Sequence, residues 1–379
     1  MISAKMYDTA IIGGGLAGLT LAISLAKQGF AVILFEKETY PFHKVCGEYI
    51  SLESWAFLEN EMGVPLSEMN LPIIKKLQIT APNGNIINKN LDLGGFGISR
   101  YTLDNALKNI AEKCGVAILQ NCKVSNVACK NNFYYVQTTL GNFNSKLCAG
   151  AWGKRSNIDI KWKRNFITNN SERLSNYVGV KYHVNINAVP DEIALHNFKD
   201  GYCGISKIED NKYCVCYLTK ASNIKDSGSI KKAELHILSE NPHLKKIFEQ
   251  MQILYAEPLT ISQISFSKKK LVENKVFMLG DAAGMIPPLC GNGMSMAMHS
   301  SKILSNHMAK FLLNQLTFNQ LVIEYNKHWN SNFATRLAVG KIVQYFFGKK
   351  ISTNIFIAIM KRFKFIAKYL VTSSHGKTY

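Results

Sequence analysis

The sequence predicts an α/β fold: a parallel sheet carrying a β-meander, interleaved with an antiparallel sheet and followed by a helical C-terminal region. Three observations predict it. An apolar run, Tyr7-Asp8-Thr9-Ala10-Ile11-Ile12, flows into Gly13-Gly14-Gly15-Leu16-Ala17-Gly18 and then into a helical pattern. Short apolar alternations broken by turn signals recur between 71 and 90 and again between 178 and 218. A second short apolar run, Val276-Phe277-Met278-Leu279, ends on Gly280-Asp281 before a Pro- and Gly-rich loop. With 379 residues the chain is long enough for two interleaved domains. Segments 1–70, 96–175 and 271–310 are assigned to the first, 71–95 and 176–270 to the second, and 311–379 to the helical region.

The first stretch has the form of a nucleotide site. Gly13 makes a tight turn out of the strand, Gly15 lets backbone N–H groups approach a pyrophosphate, and Gly18 lets helix pack closely on sheet. The helix from Leu16 offers its free N–H groups and positive dipole end to phosphates. Ala31-Val32-Ile33-Leu34-Phe35 then reads as a second buried strand ending on Glu36, about twenty residues beyond the glycines, where an acid binds ribose hydroxyls. This stretch alone leaves NAD and FAD open.

Composition narrows the class. The 47% hydrophobic content suits a globular enzyme. The N-terminus shows no charged region followed by an apolar one, so no signal peptide is read and a cytoplasmic location is expected. Nine cysteines are scattered, with no CxxC pair and no His cluster at zinc spacing; neither a disulfide framework nor a metal site is indicated. The charge of +19 is spread along the chain without a nucleic-acid module, which argues against nucleic acid and for a solvated basic surface able to face anionic lipid.

The loop Tyr40-Pro41-Phe42-His43-Lys44-Val45-Cys46-Gly47-Glu48 mixes turn residues with titratable groups. Lys44 beside Cys46 would favour the thiolate; the plain alternative is a buried, inert cysteine. Pro82-Asn83-Gly84-Asn85 is a turn between two strands. Gly97-Ile98-Ser99-Arg100 leads into a helix over 103–114, with Leu103, Leu107 and Ile110 at helical spacing. Arg100, placed just before that helix, has a fork suited to a phosphate or a ring edge, and is otherwise a surface arginine. Strands are expected over 116–120, 122–128, 133–139 and 145–149. The last runs into Gly150-Ala151-Trp152-Gly153. Strands over 178–186, 193–198, 202–208 and 212–218 would form a broad antiparallel sheet.

In the third stretch a buried strand ends at Gly280-Asp281, and helical spacing resumes from Met294 to Leu304. Asp281 is placed to accept ribityl hydroxyls, and the next helix N-terminus to face the pyrimidine end of a flavin. An enzyme using only NAD has no need of this second half-site.

Together, Gly13/Gly15/Gly18 with Glu36, Ile98-Ser99-Arg100, and Gly280-Asp281-Ala282-Ala283-Gly284 with Pro-Pro-Leu-Cys-Gly-Asn-Gly resemble the FAD-dependent para-hydroxybenzoate-hydroxylase superfamily. Within it the chain looks most like the geranylgeranyl-reductase-type oxidoreductases, over roughly residues 5–310. The resemblance implies a Rossmann-type FAD-binding domain holding a non-covalent FAD, with the ring at the interface to the sheet domain. Carried onto this chain, it gives Gly13, Gly15, Leu16, Ala17 and Gly18 at the first turn, Glu36 towards the ribose, and Lys37 and Val124 as further cofactor-binding residues. It further gives Arg100, then Gly280, Asp281, Gly291, Gly293 and Met294 along the flavin end. Lys44-Val45-Cys46-Gly47 looks like that group's Cys-Gly loop, which makes Cys46 the candidate catalytic residue.

The chain also departs from the pattern. Trp152 stands where the hydroxylases carry the acid of a Gly-Ala-Asp-Gly turn, so NAD(P)H or another electron donor is left open. The reductases' Tyr-x-Trp-x-Phe-Pro strand is matched only at Tyr202, the candidate substrate residue; Gly204 and Ser206 replace Trp and Phe. The halogenases' Trp-x-Trp-x-Ile-Pro signature is absent. The tail, Ile342-Val343-Gln344-Tyr345-Phe346-Phe347 and Ile355-Phe356-Ile357-Ala358-Ile359-Met360-Lys361-Arg362, is too short in its apolar runs to span a bilayer. It caps a substrate cavity or lies on a membrane surface, at the inner face if so.

The expected function is redox chemistry on an apolar or aromatic small molecule: hydride transfer from reduced FAD to a C=C bond. The alternatives are a flavin monooxygenase and, from another class, a non-catalytic flavin-bearing protein at the membrane surface. The sequence sets neither substrate nor oligomeric state.

Overall fold

The structure is a computed structural model describing residues 5–168, 176–287, 291–362, 376, 378 and 379. Its strands, in chain order, are β1 (Met6–Ile12), β2 (Val32–Phe35), β3 (Tyr49–Ser51), β4 (Ile73–Thr80), β5 (Ile86–Gly97), β6 (Ala117–Leu119), β7 (Val124–Lys130), β8 (Phe133–Thr138) and β9 (Gly141–Gly150). They continue with β10 (Tyr177–Asn185), β11 (Glu192–Phe198), β12 (Gly201–Lys207), β13 (Tyr213–Lys220), β14 (Gln252–Ile253), β15 (Leu259–Ile264), β16 (Val272–Glu273) and β17 (Val276–Met278). The α-helices are α1 (Leu16–Ala26), α2 (Arg100–Lys113), α3 (Asn157–Lys161), α4 (Asn165–Thr168), α5 (Ala221–Ser227), α6 (Ile230–His236), α7 (Pro242–Gln250), α8 (Gly293–Leu312), α9 (Phe318–Phe346) and α10 (Lys350–Arg362).

Two sheets organise these elements. The first runs β16-β17-β9-β1-β2-β6, parallel except for the β16–β17 pair, with β7 and β8 joining β9 as an antiparallel meander. All four residues of β2, Val32 to Phe35, are buried, as a parallel strand covered on both faces requires. Helix α1 buries nearly every residue, because its apolar positions are not confined to one stripe. It lies against α8, where the hydroxyls of Thr20 and Ser301 meet at 2.6 Å.

Register decides where this sheet presents its loops. Ile12 is level with Phe35 on one side and Gly150 on the other, and Gly150 with Met278. The chain therefore leaves four parallel strands at one edge, which brings Gly13, Glu36, Ala151 and Leu279 into one row, with Gly280 next after it. Crevices at the carboxyl ends of parallel strands are where such sheets bind ligands.

The second sheet runs β14-β10-β13-β12-β11-β4-β5-β3, with β15 beside β10. It is antiparallel apart from the β4–β11 pair, which is parallel. β3 pairs with β5, so the loop holding Cys46 passes directly from the first sheet's edge onto the second. The face bearing Val180, Tyr182, Tyr217 and Ile205 packs with Leu238 and Leu244 from the segment of α5–α7, helices the sequence reading did not anticipate. On the opposite face, Tyr49, Leu195, Tyr202 and Leu218 pack with Met285 and Phe347. The end of α9 and α10 thus pack on that face, through Val343, Phe347 and Phe356. No helix among the described residues is long and apolar enough to cross a membrane.

Helix α2 begins at Arg100, three residues earlier than its apolar spacing suggests. Ser99 caps it, accepting from the Thr102 N–H at 3.1 Å, and capping overrides periodicity at a first turn. Arg100 is therefore the first helical residue rather than a loop residue ahead of the helix.

Candidate functional site

The glycine turn is shaped by contact. Gly13 has a left-handed backbone (φ 106°), and a Cβ there would run into the Ala151 carbonyl; at Gly18 a Cβ would run into the carbonyl of Gly13. Gly15 differs. Its φ of −84° suits any residue, and a Cβ would meet only the Arg100 guanidinium at 3.6 Å and the Lys44 ammonium at 3.7 Å. The space over Gly15 is thus bounded by two cations at the N-terminus of α1, which is the setting for a bound anion.

Those cations are fixed by one buried carboxylate. Asp104 receives Arg100 through two bonds of 2.8 Å and Lys44 at 3.0 Å. Burial alone would raise the Asp104 carboxyl; the two cations more than reverse this and hold it below its ordinary value. Two positive charges on one negative leave a net positive charge facing Gly15. Lys44 is consequently paired with Asp104 rather than with Cys46, which removes the ground for a lowered thiol. Burial pushes the Cys46 thiol up, outweighing Arg100, the Glu48 N–H and Lys181.

Glu36 ends β2 at the same sheet edge, where the sequence reading expects a ribose contact. Its carboxylate accepts from the N–H groups of Gly14 at 2.8 Å and Glu38 at 3.1 Å. A carboxylate offers about four acceptor positions, so capacity remains for diol hydroxyls. Val124 is buried at the start of β7, two residues after Cys122, whose N–H donates to the Glu36 carbonyl. The Lys37 side chain is exposed and pairs with Glu38, so only its backbone lies at this edge.

The far end is built where three segments converge. Gly280 has φ 53°, and a Cβ there would stand 3.3 Å from Ala17 and 3.5 Å from Ala297, so the first and third glycine turns and α8 touch. β17 stops at Met278 and Gly280–Ala282 forms a single 3-10 turn. A pocket there is lined by Gly280, Asp281, Gly293, Met296, Ala297 and Trp329. Burial raises the Asp281 carboxyl, and Lys269, Arg100 and Lys154 pull it back. Gly291 (φ 66°) lies against the Tyr49 ring, and Met294, in the first turn of α8, brings its sulfur to 3.5 Å from Cys46 Sγ. Of the Pro-Pro-Leu-Cys-Gly-Asn-Gly continuation, residues 288–290 lie outside the described residues.

Residues 6–326 match the family described as FAD binding domain. The chain belongs to that family. Among relatives of this FAD-binding chain, a digeranylgeranylglycerophospholipid reductase of Methanococcoides burtonii is 24% identical over 89% of this chain and 83% of that protein. Conditioned medium factor receptor 1 of Dictyostelium discoideum is 22% identical over 90% of this chain and 71% of its own. The solved flavin-dependent brominase Bmp2 shares the fold, with a TM-score of 0.77 at 17% identity, covering 98% of this chain and 94% of that one. The residues of this edge fit the cofactor. A cation-bounded space over Gly15, a strand-end acid and a second glycine turn with a buried acid make a donor set for one extended dinucleotide.

One group in this FAD-binding chain went unread in the sequence. Glu48, fully buried and in a left-handed backbone (φ 55°), accepts from Lys181 Nζ and His183 Nε2 at 2.5 Å each and from the Arg100 N–H at 2.8 Å. Burial would raise its carboxyl; the His183 hydrogen bond and the Lys181 charge hold it low instead. Cys214 lies within 4.8 Å of the Glu48 and His183 donor atoms. Lys181 already supplies the positive charge there, so these groups are not assigned as metal ligands. The same sheet face grips the Cys46 loop: Lys181 donates to the Lys44 carbonyl, Cys214 to that of Cys46 and Ser206 to that of Gly47. The available signal was Lys181-x-His183, charge alternating onto one face of an otherwise apolar strand.

Tyr202 is buried in β12, in the apolar cluster with Leu195 and Leu218. Gly204 shares its sheet face, and a Cβ there would make only ordinary contacts, 3.6 Å or more. Trp152, in the place of the hydroxylases' acid, donates its indole N–H to Asp159, which is paired at 2.9 Å with the buried Arg164. That turn is committed to structure.

Proposed function

We propose that this FAD-dependent oxidoreductase reduces an isolated C=C bond of an apolar, isoprenoid-like lipid, with Cys46 supplying the proton. In this reading Gly13, Gly15 and Gly18, with Leu16 and Ala17, present backbone to the pyrophosphate, and Arg100 and Lys44 neutralise it. Glu36 holds the adenosine ribose beside the Lys37 backbone and Val124. Gly280 and Asp281 receive the ribityl chain, and Gly291, Gly293 and Met294 border the ring. FAD, when bound and reduced, supplies the hydride.

The observation that carries the reading is the state of Cys46. Hydride transfer to a C=C bond leaves a carbon that must gain a proton. A thiol pushed up by burial is a neutral acid at physiological pH. It sits beside Met294, on a loop clamped to the sheet by Lys181, Ser206 and Cys214. Tyr202, Leu195 and Leu218 give the same sheet face an apolar floor. The named activity of the M. burtonii relative supports the same chemistry and substrate class.

Peripheral membrane contact is part of the proposal. Ile342, Tyr345, Ile355 and Ile359 are exposed on α9 and α10, interleaved with Lys341, Lys361 and Arg362. Apolar and basic side chains on one surface suit the edge of an anionic bilayer, and the same helices cap the apolar face bearing Tyr202, giving a lipid a short path inward.

The test is product analysis in heavy water. FAD-loaded protein, photoreduced without oxygen and given digeranylgeranylglycerophospholipid, should yield reduced chains carrying one solvent deuterium per saturated bond. Unreduced lipid, or product bearing added oxygen when air is admitted, would refute the reading.

A further inference from the structure

Tyr49 follows Cys46 by three residues and carries a hydroxyl that the fold encloses without using. The residue is 5% exposed, and among the described residues its oxygen is a buried atom with no hydrogen-bond partner. Buried polar side chains are nearly always hydrogen-bonded, because an unmade bond leaves the whole desolvation cost standing. Burial, with the Glu53 carboxylate adding to it, raises the phenol. The oxygen therefore keeps its hydrogen at physiological pH and is a donor.

Two glycines seat the ring. At Gly95 of β5 a Cβ would run into it, and at Gly291 a Cβ would stand 3.0 Å from it. Gly291 begins the segment 291–294, whose Met294 sulfur lies 3.5 Å from Cys46 Sγ, so one short segment touches both the thiol and the ring. The ring packs in the sheet-face cluster with Leu195, Tyr202, Leu218 and Met285, and is not among the residues lining the pocket at Asp281. A phenylalanine would fill this apolar place equally well and leave no donor unmet. Packing thus accounts for the ring and not for the hydroxyl.

We propose that Tyr49 is a specificity-determining residue, its hydroxyl donating a hydrogen bond to one acceptor oxygen of an otherwise apolar substrate. The inference rests on the reading of this chain as a lipid C=C reductase. A polyene offers several similar double bonds, and an apolar surface holds each of them alike. A single donor near Cys46 breaks that equivalence, because its bond to a substrate oxygen forms in only one register of the chain. A site that hydrogen-bonds a substrate oxygen also rejects analogues lacking it, since the donor then stays buried and unpaired. The substrate class narrows to a polyene bearing an ether, ester or hydroxyl oxygen, as against a bare hydrocarbon.

The experiment reads binding apart from turnover. Oxidised, FAD-loaded protein is titrated by calorimetry in detergent micelles with geranylgeranyl methyl ether and with the hydrocarbon of the same length. The unaltered protein should bind the ether roughly tenfold or more tightly. Tyr49→Phe should bring the two affinities together by weakening the ether alone. Its FAD affinity and flavin spectrum should stay unchanged, and its melting temperature should be no lower than the parent's. In single turnovers of photoreduced protein, the unaltered chain should saturate one position of the ether first, and Tyr49→Phe several. Binding of neither lipid, equal affinity for both in the unaltered protein, or an intact preference in Tyr49→Phe would overturn the proposal. So would an altered flavin spectrum in Tyr49→Phe, which would give the hydroxyl to the cofactor, or a melting temperature several degrees lower, which would show it already bonded within the fold. Tyr49-dependent preference for the ether in a protein that reduces no C=C bond would leave this site standing and remove the reaction.

Discussion

The guanidinium of Arg100 stands 3.6 Å from the point where Gly15 would carry a Cβ. A residue at the start of α2 and a glycine at the start of α1 thus bound one small space, with Lys44 as its third wall, and Asp104 fixes both cations. That relationship separates two kinds of glycine. Gly15→Ala should fold normally, within about 0.5 kcal/mol, because its backbone and surroundings accept a methyl. It should nonetheless bind FAD at least tenfold more weakly, about 1.4 kcal/mol, because the methyl occupies the approach of the phosphates. Gly18→Ala should lose about 1–3 kcal/mol of stability from overpacking. FAD titration beside thermal melts distinguishes the two. Equal losses of stability in both would contradict the assignment.

Arg100→Gln removes a charge-assisted contact worth about 1.5–3 kcal/mol. FAD affinity should fall by roughly 10- to 100-fold, with a weaker dependence on salt than the unaltered protein shows. Fluorescence titration at two ionic strengths measures both.

Glu48 and Asp104 set the acid limit of stability. Both carboxyls are held below their ordinary values in the folded chain, so the unfolded chain takes up their protons first as pH falls. Their stabilisation is complete above the ordinary carboxylate range, roughly pH 4, and disappears as pH drops through the lower folded values. Glu48→Gln should shrink that acid-dependent part. It should also cost about 3–5 kcal/mol at neutral pH, because Lys181 is left buried without its counter-charge. Urea denaturation across pH checks both. A variant as stable as the parent would show that the pair is not formed.

Cys46→Ala should retain FAD and lose about 100-fold or more in C=C reduction, the scale of a general acid. Burial raises the folded thiol, so activity should hold through neutral pH and decline only in alkali, above the ordinary thiol range of roughly 8.5. Full activity in the alanine variant would return Cys46 to a packing role.

Much of this was legible because it is local. Gly13, Gly15, Gly18 and Glu36 follow a strand–turn–helix–strand order that one window displays, and parallel register then sets Gly280 beside Ala17. The antiparallel strands were readable from turn residues and alternation. What escaped depends on long-range pairing. Glu48 meets Lys181 and His183 only because β3 crosses to the second sheet, across more than 130 residues of chain. Lys44 was read against its neighbour Cys46, whereas the fold delivers it to Asp104. The first turn of α2 was missed because Ser99 caps it where no apolar residue marks the face. Helices α5 and α6 are too short to show a periodic stripe, whereas α7 does carry one, Leu244, Ile247 and Phe248, that was not read.

Membrane contact is tested by sedimentation. The protein should pellet with vesicles of anionic phospholipid and less so with zwitterionic ones or in high salt. Ile342→Glu with Ile355→Glu should abolish pelleting while leaving FAD binding intact, since both side chains face solvent. Pelleting unaffected by the pair would locate the contact elsewhere or remove it.

The most direct test of the central claim is stopped-flow mixing of anaerobically photoreduced, FAD-loaded protein with a lipid bearing isolated C=C bonds, watching the flavin absorbance. The account predicts reoxidation of the flavin by the lipid without oxygen, at a rate that collapses in Cys46→Ala. Flavin that stays reduced until oxygen is admitted, followed by oxygen uptake coupled to an oxygenated product, would contradict it.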